Sequence, residues 1–166
     1  MRDHKQICCF SGHRPEKLSA SEQALLLDGL EATVRRAASA GFTAFLTGMG
    51  RGFDLWAART VLSLRDALGL ELWCAVPYAG QEEHWPEEWR ALYQEVLLSA
   101  RRVYCLHTHY TPQCFHDRNR FMVENAQRLI CYFNGSPGGT AYTLRLARAH
   151  GLEVENLADR QLALWD

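Results

Sequence analysis

Short apolar runs alternate in this chain with longer stretches of helical period, and that alternation restricts the fold more tightly than any single motif. Residues 6–10 (QICCF), 43–47 (TAFLT), 71–76 (ELWCAV), 102–106 (RVYCL) and 128–133 (RLICYF) have the length and apolar content of buried strands. After the first run, Ser19 and Glu22 have the spacing of a capping box, Leu27, Leu30, Val34 and Ala37 share one helical face, and Gly41 offers a stop. Residues 55–68 predict a second helix, ending at Gly69. Pro86 suits the first turn of a third, striped by Trp89, Leu92, Tyr93, Val96 and Leu97. A fourth helix is predicted near residues 115–126, and a fifth between a capping Thr140 and Gly151. LEVENL (152–157) supplies a sixth short strand, and residues 158–166 read as an amphipathic turn or helix docked by Trp165.

Strands joined through helices of this length need crossover connections, so the sheet is expected to be mainly parallel with helices on both faces. The predicted fold class is α/β: a Rossmann-like three-layer α/β/α sandwich, built as one domain over residues 1–166. Ligands of such sheets bind beyond the carboxyl ends of the strands, near a switch in strand order.

Three glycine-bearing loops begin at predicted carboxyl ends. In FSGHRP, Gly12 permits a tight turn while Ser11, His13 and Arg14 offer donors to an anion; an ordinary strand-to-helix turn is the alternative. In TGMGRGFD, Gly48, Gly50 and Gly52 alternate around Arg51, and Asp54 either caps the following helix or binds a ribose hydroxyl. In NGSPGGT, Gly138 and Gly139 stand directly before Thr140, where a helix start would favour phosphate; a left-handed turn without ligand is the alternative. DRNRFMVENA adds Arg118, suited to phosphate charge, and Asn119, suited to a sugar or base, although both also suit a solvated helix. Three such loops on one sheet edge point to a nucleotide-like ligand.

The motifs also exclude. The second loop reads G-x-G-x-G rather than the dinucleotide fingerprint, and the strand ending at Val76 carries no terminal acid for a ribose. No P-loop and no G-x-S-x-G elbow is present. The expected partner is therefore a small-molecule nucleotide or ADP-ribose-like ligand, with no cofactor required.

A formal charge of -1 disfavours a dedicated nucleic-acid binder, which normally carries a basic face. The start MRDHKQ lacks an apolar signal region and no apolar run reaches spanning length, so a cytoplasmic protein with no membrane contact is expected. Cys8, Cys9, Cys74, Cys105 and Cys131 lie in apolar runs, where a reduced thiol behaves as a small buried hydrophobe. Cys105, His107, His109, Cys114 and His116 are all zinc-ligand types lying close together. Their spacing matches no standard paired-ligand module, and no metal site is expected. The acidic-aromatic stretch QEEHWPEEW is assigned chiefly to helix packing, with a cleft mouth as the alternative.

The segments CCFSGHRPEKL, FLTGMGRGFDLWAA, VPYAGQEEHWPE, RNRFMVENA and GGT, in that order, resemble the YpsA-like branch of the SLOG superfamily over residues 8–156. The resemblance implies a Rossmann-like fold and a pocket for a nucleotide or nucleotide-derived ligand, in bacterial stress or cell-division signalling. It implies that Ser11, Gly12, His13, Arg14, Gly48, Gly50, Gly52, Asp54, Arg118, Asn119, Gly138, Gly139 and Thr140 line that pocket, with Trp56 packing beside it. LOG-type phosphoribohydrolases of the superfamily carry P-G-G-x-G-T-x-x-E. Here the loop reads PGGTAYTLR, with Arg145 where the catalytic glutamate would fall.

The expected function is binding or sensing of such a ligand. One alternative is a hydrolase acting on a nucleotide or ADP-ribose-like substrate, with His13, Asp54, Asp117 or Glu82 as acid–base candidates. Another is a homo-oligomeric interaction module with a vestigial pocket.

Overall fold

A computed structural model describes residues 6–159. Six strands, β1 (Gln6–Gly12), β2 (Phe42–Thr47), β3 (Glu71–Val76), β4 (Arg102–Cys105), β5 (Arg128–Tyr132) and β6 (Glu153–Asn156), form one sheet in the order β4-β3-β2-β1-β5-β6. Every neighbouring pair is parallel. The crossovers are α1 (Ala20–Ser39), α2 (Phe53–Leu68), α3 (Glu87–Ser99), α4 (Cys114–Glu124) and α5 (Gly139–Ala149), with a 3-10 turn at Pro15–Lys17. The Rossmann-like α/β class expected from the alternation is the fold observed.

Strand periodicity sorts the apolar side chains into two layers. Cys8, Phe10, Phe45, Leu72, Cys74, Ile130 and Tyr132 face one side, where they meet α1, α2 and α3. Cys9, Ala44, Leu46, Trp73, Ala75, Leu129 and Cys131 face the other and meet α4 and α5. From β1 the chain winds outward through β2, β3 and β4, then returns to place β5 on the opposite side of β1. The switch in strand order therefore lies between β1 and β5, where two loops diverge and leave a crevice.

Several local expectations need correction. Leu26, not Leu27, belongs to the buried stripe of α1: Leu26 is 1% exposed and Leu27 40%. The capping box at Ser19 and Glu22 forms as expected. Thr140 does not cap α5, because Gly138 occupies the N-cap position and Thr140 lies inside the first turn. Nor does Asp54 cap α2, whose N-cap is Gly52; its carboxylate turns back into the preceding loop. Cys105 is exposed because β4 is an edge strand, whereas Cys8, Cys9, Cys74 and Cys131 are buried. Burial pushes the Cys8, Cys74 and Cys131 thiols up to about 12, which keeps them protonated and inert. The sixth strand is present at residues 153–156, and residues 157–159 begin a helical turn. The predicted docking of Trp165 lies outside the described residues. Among the described residues, no helix is long and apolar enough to cross a membrane.

Candidate ligand cleft at the switch point

The carboxyl ends of β1, β2, β3 and β5 open into one cleft of about 640 Å³. Its walls contain Ser11, Gly12, His13, Arg14, Gly50, Arg51, Asp54, Arg118, Asn119, Gly139 and Thr140 from the sequence-predicted set. Gly48, Gly52 and Gly138 stand behind the wall. A Cβ on Gly48 would lie 3.0 Å from Arg118 Cδ, and one on Gly52 would lie 2.7 Å from the His13 carbonyl oxygen. One on Gly138 would meet Lys17 Nζ at 2.7 Å. These glycines make room for neighbouring protein groups.

His13 ties the three loops together. Its carbonyl accepts the Phe53 N–H at 3.3 Å, joining the first loop to the start of α2. Its ring Nε2 accepts the Asn134 N–H at 3.2 Å, joining the first loop to the third. Accepting at Nε2 requires a neutral ring, and burial, reinforced by the Lys17 charge, lowers the His13 pKa from its ordinary value. Asn134 also donates through Nδ2 to the Lys17 carbonyl and to Glu22 Oε2, and Lys17 Nζ donates to the Pro137 carbonyl. The third loop is thus held from outside by the first.

The second loop is bound more tightly. Met49 is fully buried at φ 64°, a left-handed conformation that a non-glycine residue adopts only when its surroundings impose it. Thr47 Oγ1 accepts the Met49 N–H at 3.3 Å and donates to the Asp54 carbonyl. Gln81 Nε2 donates to the Met49 carbonyl at 3.1 Å, and Arg118 Nη1 donates to the Gly48 carbonyl. Asp54 Oδ2 accepts the Gly50 N–H at 3.1 Å. Burial pushes the Asp54 carboxyl up to about 6, against the opposing pull of the Arg118 charge, the Gly50 and Gly12 amides, and Arg14.

The lining of the cleft is of two kinds. Arg14, Lys17, Arg51 and Arg118 bring positive charge to the glycine loops. Arg51 is paired with Glu16, while the Arg14 side chain is exposed and has no hydrogen-bond partner among the described residues. Arg118 Nε donates to Asn119 Oδ1 at 2.7 Å, leaving Nη2 unengaged among the described residues. The first turn of α5 has no side-chain cap, and Gly139 and Thr140 at its start line the cleft. Tyr78, Tyr110 and Phe115 form a cluster of edge-on and tilted rings with centroids 5.7 to 6.5 Å apart, and the Arg118 guanidinium lies 5.7 Å from the centre of the Phe115 ring. Trp85 and His116 extend this wall, with His116 stacked on Tyr142 at 4.4 Å.

Lys17, Tyr78, Gln81, Trp85, Tyr110, Phe115 and His116 were not among the predicted site residues. Tyr78, Gln81 and Trp85 lie in the loop after β3, and Tyr110 in the loop after β4, so the carboxyl-end rule was the signal that pointed to them. The aromatic stretch around Trp85 supplies a cleft wall as well as helix packing. The five Cys and His residues at 105–116 separate. Cys114 is buried, Cys105 Sγ donates to the His107 carbonyl, His107 pairs with Asp117 at 2.7 Å, and His109 meets Thr108. Among the described residues, no group of three or more His, Cys, Asp or Glu side chains is placed to hold a metal ion.

A model of the YspA SLOG family matches residues 8–158, and the chain belongs to that family. It is 29% identical over 144 residues to a UPF0398 protein of Bacillus velezensis, covering 80% of this chain and 79% of that relative. A UPF0398 protein of Bacillus pumilus is 27% identical over 163 residues, covering 93% and 84%. Among solved structures, DNA processing protein A (DprA) from Helicobacter pylori, described with a single-stranded DNA binding mode, superposes with TM-score 0.66 at 15% identity over 96% of this chain and 73% of its own. DprA from Streptococcus pneumoniae gives 0.62 at 15% identity, covering 90% of this chain and 49% of that one. The molybdenum cofactor carrier protein of Chlamydomonas reinhardtii gives 0.51 at 15% identity, covering 90% and 74%. At these identities the structural likeness establishes a shared fold.

Proposed function

We propose that this member of the YspA SLOG family binds a nucleotide or nucleotide-derived ligand in the switch-point cleft, acting as a binding or sensing module. The observation that carries the proposal is the joining of two unlike kinds of lining in one cavity. Unengaged guanidinium and helix-start N–H donors suit a phosphate, and a wall of aromatic rings within the same 640 Å³ suits a planar base. The fully buried Met49 at positive φ supports it, since backbone strain of this kind collects at ligand sites. The Chlamydomonas reinhardtii protein, a molybdenum cofactor carrier by its description, and the Helicobacter pylori DprA, described with a single-stranded DNA binding mode, make a small molecule and single-stranded DNA both part of the test. The relatives are bacterial, and the reading extends to a cytoplasmic role in the stress or cell-division signalling that the sequence resemblance implies.

A hydrolytic alternative has one residue in its favour. His13 is held as an acceptor, and neither Asp117 nor Glu82 lines the cleft, whereas Asp54 does so with a carboxyl that burial pushes up to about 6.

Thermal unfolding against nucleotides, ADP-ribose and short single-stranded DNA, with products followed by chromatography, tests these readings together. A ligand at 100 times its dissociation constant stabilises the fold by about 2.7 kcal/mol. A rise in midpoint without product supports the binding module, and product formation establishes the hydrolase. A midpoint indifferent to every ligand overturns both and favours an oligomeric interaction module, checked by light scattering.

A further inference from the structure

The three glycine loops do not offer a ligand the same thing. By sequence the second loop looks like an anion seat, with glycines leading into the positive end of α2. The fold fills that place from within. The Gly50 N–H that an anion would use is donated to Asp54 Oδ2, and the Phe53 N–H is donated to the His13 carbonyl. The first loop lies directly over Gly52, with the His13 oxygen and Pro15 Cδ within 3 Å of where a Cβ would stand. An incoming phosphate would find these amides taken and a carboxylate beside them.

Asp54 is itself an unusual group. It is 6% exposed and lines the cleft; Oδ2 accepts from Gly50, and Oδ1, shielded from solvent and drawn on by the Gly12 amide, makes no full hydrogen bond among the described residues, so two backbone amides alone serve the carboxylate. No Lys, Arg or His among the described residues pairs with it; the nearest guanidinium, by its electrostatic effect, is that of Arg118, whose Nη1 and Nε are committed to Gly48 and Asn119. A buried carboxylate with a spare acceptor is costly to maintain unless a donor arrives. The four cationic side chains that share the cleft disfavour a metal ion as that donor. The charge of Asp54 disfavours an anion. A neutral hydroxyl remains.

We propose that Asp54 is the specificity-determining acceptor for a ligand hydroxyl, the ribose 2′- or 3′-hydroxyl of a nucleotide, and that the second loop does not hold phosphate. The assignment rests on the nucleotide reading above and divides the ligand among the loops: phosphate towards α5 and Arg118, sugar on Asp54, base against the Tyr78, Tyr110 and Phe115 rings. Burial raises the Asp54 carboxyl only to about 6, so at pH 7.5 it is ionised and able to accept.

Calorimetric titration of wild type and Asp54→Ala at pH 7.5 with AMP, 2′,3′-dideoxy-AMP and inorganic phosphate tests the assignment. The wild type is expected to bind AMP at least tenfold more tightly than the dideoxy analogue, a comparison that needs no variant. Asp54→Ala is expected to reduce that preference to twofold or less. Equal wild-type affinity for AMP and its dideoxy analogue overturns the assignment and leaves the nucleotide reading standing. So does a tenfold gain in phosphate affinity in Asp54→Ala, the sign of an anion seat relieved of a competing charge. Binding of neither AMP nor phosphate by the wild type overturns the assignment and contradicts the nucleotide reading with it.

Discussion

The second and third glycine loops look alike as sequence and differ as physical objects. In the second loop, residues 47–54, nearly every position is buried, and Gly50 and Gly52 would each bring a Cβ within 3 Å of another group. In the third, Gly135 has open space around it, and Gly138 meets only the end of the Lys17 side chain. Glycine serves close packing in one loop and exposed backbone donors in the other. Richness in glycine therefore does not by itself say where an anion sits; the hydrogen bonds already made by the loop decide that.

Substitutions can break this contrast. Gly52→Ala is expected to have the largest effect, a loss of about 3 kcal/mol or more in urea unfolding. It forces a side chain into φ 87°, ψ -125° and against the His13 carbonyl. A loss under 1 kcal/mol would show that the second loop is no more demanding than the third. Asp54→Asn is expected to stabilise the protein at pH 7.5 by on the order of 1–3 kcal/mol, because it removes a buried charge. The sign follows from linkage. With the folded pKa near 6 and the unfolded value at 3.8, the wild type gains stability as pH falls through this window, so the advantage of Asn should vanish below about pH 4. Destabilisation at pH 7.5 would mean that the ionised carboxylate holds the loop together. A residue retained against stability in this way is expected where ligand recognition requires it.

Smaller effects should come from the third loop. Gly135→Ala, at φ 96° in open space, is expected to cost about 1 kcal/mol from backbone conformation alone. A loss as large as that of Gly52→Ala would erase the distinction. The least energetic test is the His13 titration followed by NMR. The imidazole should titrate below its ordinary range, and the Asn134 amide resonance should move with the same midpoint, because protonating Nε2 breaks the bond joining the first and third loops. This linkage runs opposite to that of Asp54: a depressed folded pKa means stability lost as pH falls.

Much of the architecture was legible because it rests on periodicity. The crossover pattern gave a parallel sheet, and the carboxyl-end rule brought the first two loops and the α5 start to one edge. The Leu26–Leu27 error is an error of phase, since both are apolar and only the neighbours of α1 decide which turns inward. The aromatic wall of the cleft was harder to read. Tyr78 lies far in sequence from Tyr110 and Phe115, none of the three carries a glycine signature, and only the pairing of β3 with β4 brings the two segments together. The role of Asp54 was ambiguous for a related reason. A carboxylate two residues after a glycine can cap a helix or turn back, and the choice depends on whether the first loop already covers the helix start.

The most direct test of the cleft as a nucleotide site is a titration of the ¹⁵N-labelled protein with AMP, following backbone amide shifts. The account predicts that the largest changes fall at residues 12–14, 50–54, 118–119 and 138–140 and beside Tyr78, Tyr110 and Phe115, together on the carboxyl edge of the sheet. Changes centred on the opposite edge, or no change at millimolar AMP, would contradict it.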